Sequence, residues 1–535
     1  MSQPYGLACA GGLHTSINEI EALKQPGIAT KLTNFEVDTD GGYRRLSGYT
    51  AFGGGSAARP NSTNKILGLQ VYADGVIACS GTNIYFSQDG TSWLQLNRAS
   101  VSASGDNYTA FTGRSVAART SQGQPTFALF EGIHDYGLVL ICDGANKPFF
   151  FRMEGTGDLN TRTFFAGEVT VSSTLAPSVG VVHDKHFVVG GADTADNVIY
   201  YSGTNDPDDF TSTGSGSITL TDKVIGLASF RDDLIIFCNN SIFKLININN
   251  SSTIAIVPIT ENVGCMNGNT IQEIGGDLVF LSPDGLRTVA GTARIGDTEL
   301  GVISNPIQSV IKDIAPNIDN FTICTAILRN KSQYRLFYNV DATLNNSAKG
   351  LIGTLTRQGF QYSQTEGIKA TAITSDFDKD GVEQTYHGDS DGYVYNHDVG
   401  NHFTPGGTAA NIRTSYKTPN LDFGDFGTRK TLRYVKISIT PEGTVQPTLR
   451  VRYDYEDPNL AQPLDYVFDV EIPPPSIFGS ALFNGNVFGA TPDPLVRKAV
   501  QGSGNTVSFI ITSDDQLSPY TLNGLYVDYS PTGRR

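Results

Sequence analysis

Seven times along this chain the same short pattern recurs: a polar turn, an apolar strand, a second turn, and another strand that often carries aromatics. The units are "DGVIACSGTNIYFS" from Asp74, "YGLVLICDGANKPFFF" from Tyr136, "DKHFVVGGADTADNVIYYS" from Asp184 and "DDLIIFCNNSIFKL" from Asp232. They continue with "GDLVFLSPDGLRTVAG" from Gly276, "SQYRLFYNVDATLNNSAKGLIGTL" from Ser332 and "GDSDGYVYNHD" from Gly388. Period-two alternation broken by Asp-Gly and similar turns is a hairpin signal. The spacing of roughly 45 to 60 residues is close to one four-stranded propeller blade. Repeated sheets of this kind leave long exposed edges unless they close into a ring, so the pattern constrains the chain to a self-closing propeller. About seven blades are expected, with six to eight compatible with the spacing.

Composition agrees with an all-β chain. The sequence holds 58 glycines, 29 phenylalanines and 23 tyrosines against three methionines and one tryptophan, which is turn-rich and strand-rich. At 535 residues it exceeds one ordinary core. Helix signals are few. In "SNPIQSVIKDIAP", Asn305 is placed to cap, Pro306 suits the first helical position, and Ile307, Val310, Ile311 and Ile314 share a face. A second short helix is expected in "INEIEALKQPG" before Pro26 and Gly27.

The texture changes at the Gly- and Asn-rich "HDVGNHFTPGGTAANIRT". Beyond it, "TLRYVKISITPEG", "TLRVRYDYED", "LDYVFDVEI", "NTVSFIITSDD" and "TLNGLYVDYSPTG" read as sandwich strands. The expected organisation is an N-terminal arm or platform segment over 1–60, a propeller over 61–405 and a C-terminal β-sandwich over 406–535. A long insert at 473–500 carries Phe478, Phe483 and Phe488 among glycines, the composition of a contact surface.

Formal net charge is -15 and only 17% of residues are charged, which argues against a body that wraps nucleic acid. Cys9, Cys79, Cys142, Cys238, Cys265 and Cys324 form no Cys-x-x-Cys pair and several sit in apolar strand-like runs, so they read as reduced, buried thiols. No secretion signal or membrane span is visible, and folding in a cytoplasm is expected.

Candidate chemistry is sparse. Asp376, Asp378 and Asp380 with Gly381 match the first half of a calcium loop, but Gln384 and His387 stand where closing ligands belong, so a hairpin turn is expected at 376–381 and no metal. "SQDGTSW", Ser87 to Trp93, resembles an Asp-box turn of sialidase-like propellers with one residue missing between Asp89 and Gly90. There the box is a structural turn remote from catalysis. His183 and His186, read as members of one strand, would point to opposite faces, poor geometry for a shared metal. His14, His134, His387, His397 and His402 fall into no ligand spacing. No nucleophile elbow, phosphate loop or Rossmann fingerprint is present. The residues therefore predict no catalytic, cofactor or metal site and no enzyme. In "GDSDGYVYNHD", a strand bend is expected, with Asp389 and Asp391 tolerating Asn and Gly392 requiring positive φ.

Three patches resemble a known family. "LTNFEVDTDGGYRRLSGYTAFGG", Leu32 to Gly54, is similar to the N-terminal segment of bacteriophage virion proteins of the tail-nozzle and packaged-DNA-stabilisation type. "YKTPNLDFGDFGTRKTLRYVKIS" with the closing "LNGLYVDYSPTGRR" resembles the ends of such proteins, and "GDSDGYVYNHDVG" a late blade; the long insert has no counterpart. The resemblance implies a non-enzymatic ring subunit of a phage tail, in six copies, built into the virion and assembled in the host cytoplasm. Its implied partners are further copies of itself, portal-proximal adaptor proteins, tail fibres and, transiently, passing genomic DNA. A carbohydrate-binding or glycan-degrading tail component is the alternative, and would need an exposed aromatic and acidic groove.

Overall fold

A computed structural model describes residues 3–97, 119–120, 123–155, 162–171, 175–290, 302–339, 348–468 and 495–534. The chain is all-β, a propeller joined to a β-sandwich. Six self-contained antiparallel sheets of three or four strands stand around a central axis. One further blade, blade six in chain order, runs from Thr322–Leu328 to Gly359–Glu366 and is the first part of a nine-stranded sheet that continues into the sandwich.

Six of the seven repeated units of the sequence become the same structural element, the second and third strands of a blade; the seventh, from Gly388, starts at the end of a second strand and holds the third. Gly75–Ser80 with Asn83–Ser87 is the first such pair and Glu383–Gly388 with Val394–His397 the last. The second strands are read easily because they are buried on both faces. Val139, Ile141, Val188, Ile236 and Phe280 are each at most 1% exposed. Buried apolar residues fall into seven clusters, each filling one interface between neighbouring blades. Blades one and two, for example, meet through Tyr72, Phe86, Phe151 and Phe164. The cluster between blades five and six is continuous with the sandwich core.

The ring is closed by residues from near the start of the chain. Tyr49–Ala51 pairs antiparallel with Val394–His397 as the outer strand of blade seven. Other early strands enter the sandwich. Gln3–Ala8 pairs along Tyr520–Arg534, and Phe35–Val37 and Tyr43–Arg45 extend the same sheet. Lys31–Thr33 lies between blade six and the second sandwich sheet, parallel to Gly359–Glu366 and antiparallel to Ile412–Lys417. Residues 3–51 are thus distributed over both bodies.

The predicted helix forms over Gln308–Ile314, and Ile307, Val310, Ile311 and Ile314 are its buried face. Asn305 does not cap it. Asn305–Ile307 is a 3-10 turn and no side chain caps the start. The second helix is a single turn, Glu19–Ala22, capped by Asn18. All six cysteines are buried free thiols. Of the insert at 473–500, residues 473–494 lie outside the described residues, and Leu495–Ala499 is an edge strand of the sandwich.

Candidate functional site

Two places concentrate polar groups. One is the propeller axis, where the first strands of all seven blades line a cavity of about 420 Å³. At the end where these strands begin, side chains cross it. Gln124 donates to the carbonyls of Ile323 (3.1 Å) and Thr371 (3.3 Å), Asn269 donates to Gln124 (3.0 Å), and Thr325 to the Asn269 carbonyl (2.5 Å). At the other end Gln70 donates to Asp376 (3.1 Å), while Arg329 donates to the Ser375 carbonyl (3.2 Å) and lies over the Phe377 ring. The described lining holds two carboxylates, Glu273 and Asp376, and one cation, Arg329. Most of its amides and hydroxyls are engaged with one another. The cavity is crossed and narrow, with no room for a nucleic-acid duplex.

The second place is the junction between propeller and sandwich. Glu36, on Phe35–Val37, is 3% exposed at its side chain and accepts four hydrogen bonds. One oxygen takes Arg44 (2.9 Å) and Lys331 (2.8 Å), the other Arg335 (2.9 Å) and Gln333 (3.1 Å). Lys331 also pairs with Asp398 at 2.6 Å, Arg335 reaches Asp398 at 3.4 Å, and Arg44 pairs with Glu442 at 2.6 Å. Three cations therefore meet three carboxylates drawn from the sandwich, blade six and blade seven. Burial opposes ionisation of Asp398, but Arg335 and Lys331 outweigh it and hold the carboxyl far below its ordinary range.

The network fixes two histidine tautomers. Arg335 has only N–H to offer, so the Nε2 of His397, 2.9 Å away, must accept. The His397 proton then sits on Nδ1 and is donated to Nδ1 of His387 at 3.1 Å. Both rings are neutral. Burial pushes His387 down to about 3, and burial together with His387 and Arg335 pushes His397 well below its usual value.

The segment that carries the family resemblance builds most of this junction. Asn34 adopts φ 53°; its amide donates to the carbonyls of Arg413 (2.8 Å) and Glu366 (3.1 Å), and its oxygen accepts from the Glu366 N–H (2.9 Å). It clamps blade six to the sandwich. Tyr43 donates to the Gly27 carbonyl and accepts from the Gly12 N–H. Arg45, fully buried, donates to the carbonyls of Leu517 (2.6 Å) and Asp515 (2.9 Å). Gly42 has φ 95°, and a Cβ there would lie 2.8 Å from the Thr521 methyl. The sequence reading gave Glu36, Lys331, Arg335 and Asp398 no role. The available signal was a charge at an inward strand position, as in "QYRLFYN", but its partner Glu36 lies 299 residues away and Asp398 63.

The residues singled out in sequence lie in turns or at the strand ends that flank them. Asp376, Asp378 and Asp380 do not converge. Asp378 accepts from the backbone of Asp380 and Val382 and from Gln384, Asp376 accepts from Gln70 and Phe377, and Asp380 pairs with Lys379. This loop is the β-hairpin turn expected. His183 and His186 correct the sequence reading. They are not on one strand but flank a two-residue hairpin turn, Asp184-Lys185, with φ 44° and 68°, and stand directly opposite each other. His183 contacts Ser229, and His186 the Ser202 carbonyl and Asn249. In the Ser87–Trp93 turn, Ser87 accepts from Gly90, Asp89 from Thr91, and Trp93 donates to the Ala58 carbonyl.

Asp389 is a second correction. It is 4% exposed and accepts from the N–H groups of Asp391 (2.9 Å) and Tyr393 (2.8 Å) and from the Tyr395 hydroxyl (2.7 Å). It is a buried anchor with three donors converging on its carboxylate, not the solvated turn residue that tolerance of Asn presupposes; Asp391 is exposed.

No family model matches the chain, and no curated protein matches it. Among solved structures it is similar to an exo-β-1,3-galactanase from Phanerochaete chrysosporium at 8% identity and TM-score 0.26, over 90% of this chain and 100% of that one. The WD40 domain of Neurospora crassa Pan2 matches at 9% identity and TM-score 0.34, over 66% of this chain and 95% of that one. The extracellular domain of a putative one component system from B. thetaiotaomicron matches at 10% identity and TM-score 0.35, over 65% and 40%. At such scores none of these carries an argument about activity.

Proposed function

We propose that the chain is a non-enzymatic structural subunit of a phage tail, a nozzle-type ring component that surrounds the DNA exit path and bears on the adaptor proteins above it and the fibres beside it. The observation that carries this reading is the use to which the family-like segment is put. Asn34 and Glu36 join propeller to sandwich, and Tyr43, Arg44 and Arg45 hold that segment in place through Gly27, through Glu36 and Glu442, and through Leu517 and Asp515. Such a join suits a part that bears load. The axial cavity of one propeller is crossed by Gln124 and Asn269, so in this reading the DNA path runs between copies and not through a propeller. A net charge of -15, repeated around a ring, keeps a passing phosphate backbone off the wall.

Electron microscopy of purified particles, with quantitative mass spectrometry of copy number, tests the proposal. It expects a ring below the portal with six copies per virion. Infectious particles lacking the protein, or release of sugar from a capsular polysaccharide by the purified chain, would overturn it.

A further inference from the structure

We infer that the outer face of one sandwich sheet is the surface through which a copy of this chain binds the acidic end of blades three and four of a second copy. This rests on the ring proposed above only in requiring a second copy. The face is formed by Thr428–Pro441, Leu495–Ala499 and Tyr520–Arg534 in register. Arg497 stands opposite Lys436, which stands opposite Tyr526, and Tyr526 is 53% exposed. The Arg497 guanidinium lies 3.6 Å over the ring of Tyr434, two residues along the same face. Arg433, at a register shift, is exposed beside them. The side chains of Arg433 and Lys436 have no hydrogen-bond or ion-pair partner among the described residues. The one carboxylate in these rows is Asp528, across from Tyr434.

Three cations set around two tyrosines run against the charge of a chain at -15. Arg and Tyr are also the residues that anchor protein interfaces. The complementary charge lies on the same chain. In an antiparallel blade the turns after the first and third strands fall at one end. In blades three and four these turns carry Asp184, Asp206, Asp208, Asp209 and Asp232 against Lys185 and Arg231. Burial and the neighbouring carboxylates of Asp208 and Asp209 push Asp206 up, a crowding that an incoming cation relieves. A patch that fits a different patch makes a heterologous contact, which closes into a ring when the rotation allows.

The test uses the full chain and two charge-reversed variants, Arg433→Glu/Lys436→Glu/Arg497→Glu and Asp206→Lys/Asp208→Lys/Asp232→Lys, followed by mass photometry at low and high salt. The wild-type chain is expected to assemble, and each variant, with unchanged circular dichroism, to weaken association at least tenfold. Mixing the two variants is expected to restore assembly, because each reversed patch then finds its complement; a general loss of solubility or folding would not be rescued in this way. A wild-type chain that stays monomeric at every concentration would overturn the inference. So would assembly indifferent to reversal of the basic face; in that case the proposed ring stands and only this contact falls. Salt-sensitive binding of duplex DNA that the first variant abolishes, with assembly intact, would reassign the face to nucleic acid. Absence of the protein from virions would remove the nozzle reading and leave the self-contact standing.

Discussion

Replacing Glu36 with Gln keeps the shape of the junction and removes one charge from its centre. Arg335, whose side chain is 2% exposed, then keeps Asp398 at 3.4 Å as its one anionic partner among the described residues, and an amide N–H is turned toward at least one cation. Removing one member of a buried ionic group costs about 3–5 kcal/mol, because the remaining charges are left without compensation in a medium that solvates them poorly. Unfolding entropy near the midpoint is about 2.1 cal/mol/K per residue. For a chain of 535 residues that unfolds as a unit, this corresponds to a fall in Tm of roughly 3–5 °C. The control is Glu442→Gln, which removes the exposed partner of the same Arg44. An exposed pair contributes about 0–1 kcal/mol, so that variant is expected within about 1 °C of the parent. Differential scanning calorimetry at low salt and at half-molar salt reads both. The Glu36 effect should persist in salt, whereas the Glu442 effect should vanish. Equal small shifts for the two variants would refute the claim that the junction is a buried ionic lock.

His387 is held at about 3 in the folded chain and returns to about 6.5 on unfolding, so the unfolded state alone takes up its proton between those values. Stability should therefore fall as pH drops through that window, by about 1.4 kcal/mol per unit, and His387→Gln should flatten the slope of urea midpoints measured between pH 7 and 4. Asp389→Asn should cost about 1–3 kcal/mol by setting an N–H against the Tyr395 hydroxyl, while Asp391→Asn stays within about 0.5; thermal melts separate the two. Gly392→Val should be worse than either. Its φ is 85°, and a Cβ would sit 2.8 Å from the Asn64 carbonyl and 2.9 Å from that of Ser62, so soluble yield and Tm should both drop. The six buried thiols should resist iodoacetamide in the native protein at pH 8 and all react in urea; burial alone pushes Cys265 and Cys324 up to about 12 despite opposing hydrogen bonds or charge.

What could be read from the sequence follows burial. The second strand of each blade is covered on both faces, so "LVLIC" and "DLIIFC" announce themselves as apolar runs between turns. The helix at Gln308–Ile314 was legible because Val310, Ile311 and Ile314 repeat at helical spacing. First strands were harder to read. "ILGLQVY" alternates toward a polar axis, so Gly68 and Gln70 dilute the signal. The His183 hairpin was misread because its turn, Asp184-Lys185, holds no Gly or Asn to mark the positive φ that both residues adopt. The junction was invisible for another reason. Glu36, Lys331, Arg335 and Asp398 are ordinary in their local settings, and only tertiary folding brings them together.

The closure of blade seven by Tyr49–Ala51 has a consequence for how the protein is made. Its partner, Val394–His397, leaves the ribosome roughly 350 residues later. At translation rates of about 5–20 residues per second that is a wait of about 20–70 s. Gln3–Ala8 waits longer still for Tyr520–Arg534. Tyr49–Ala51 and Gln3–Ala8 therefore spend most of synthesis without these partners, while blades one to six can form from neighbouring segments as each emerges. The clasp comes last, so a nascent chain stalled before residue 394 carries a row of finished blades that cannot shut, with a free strand at its leading end as the natural target for chaperones.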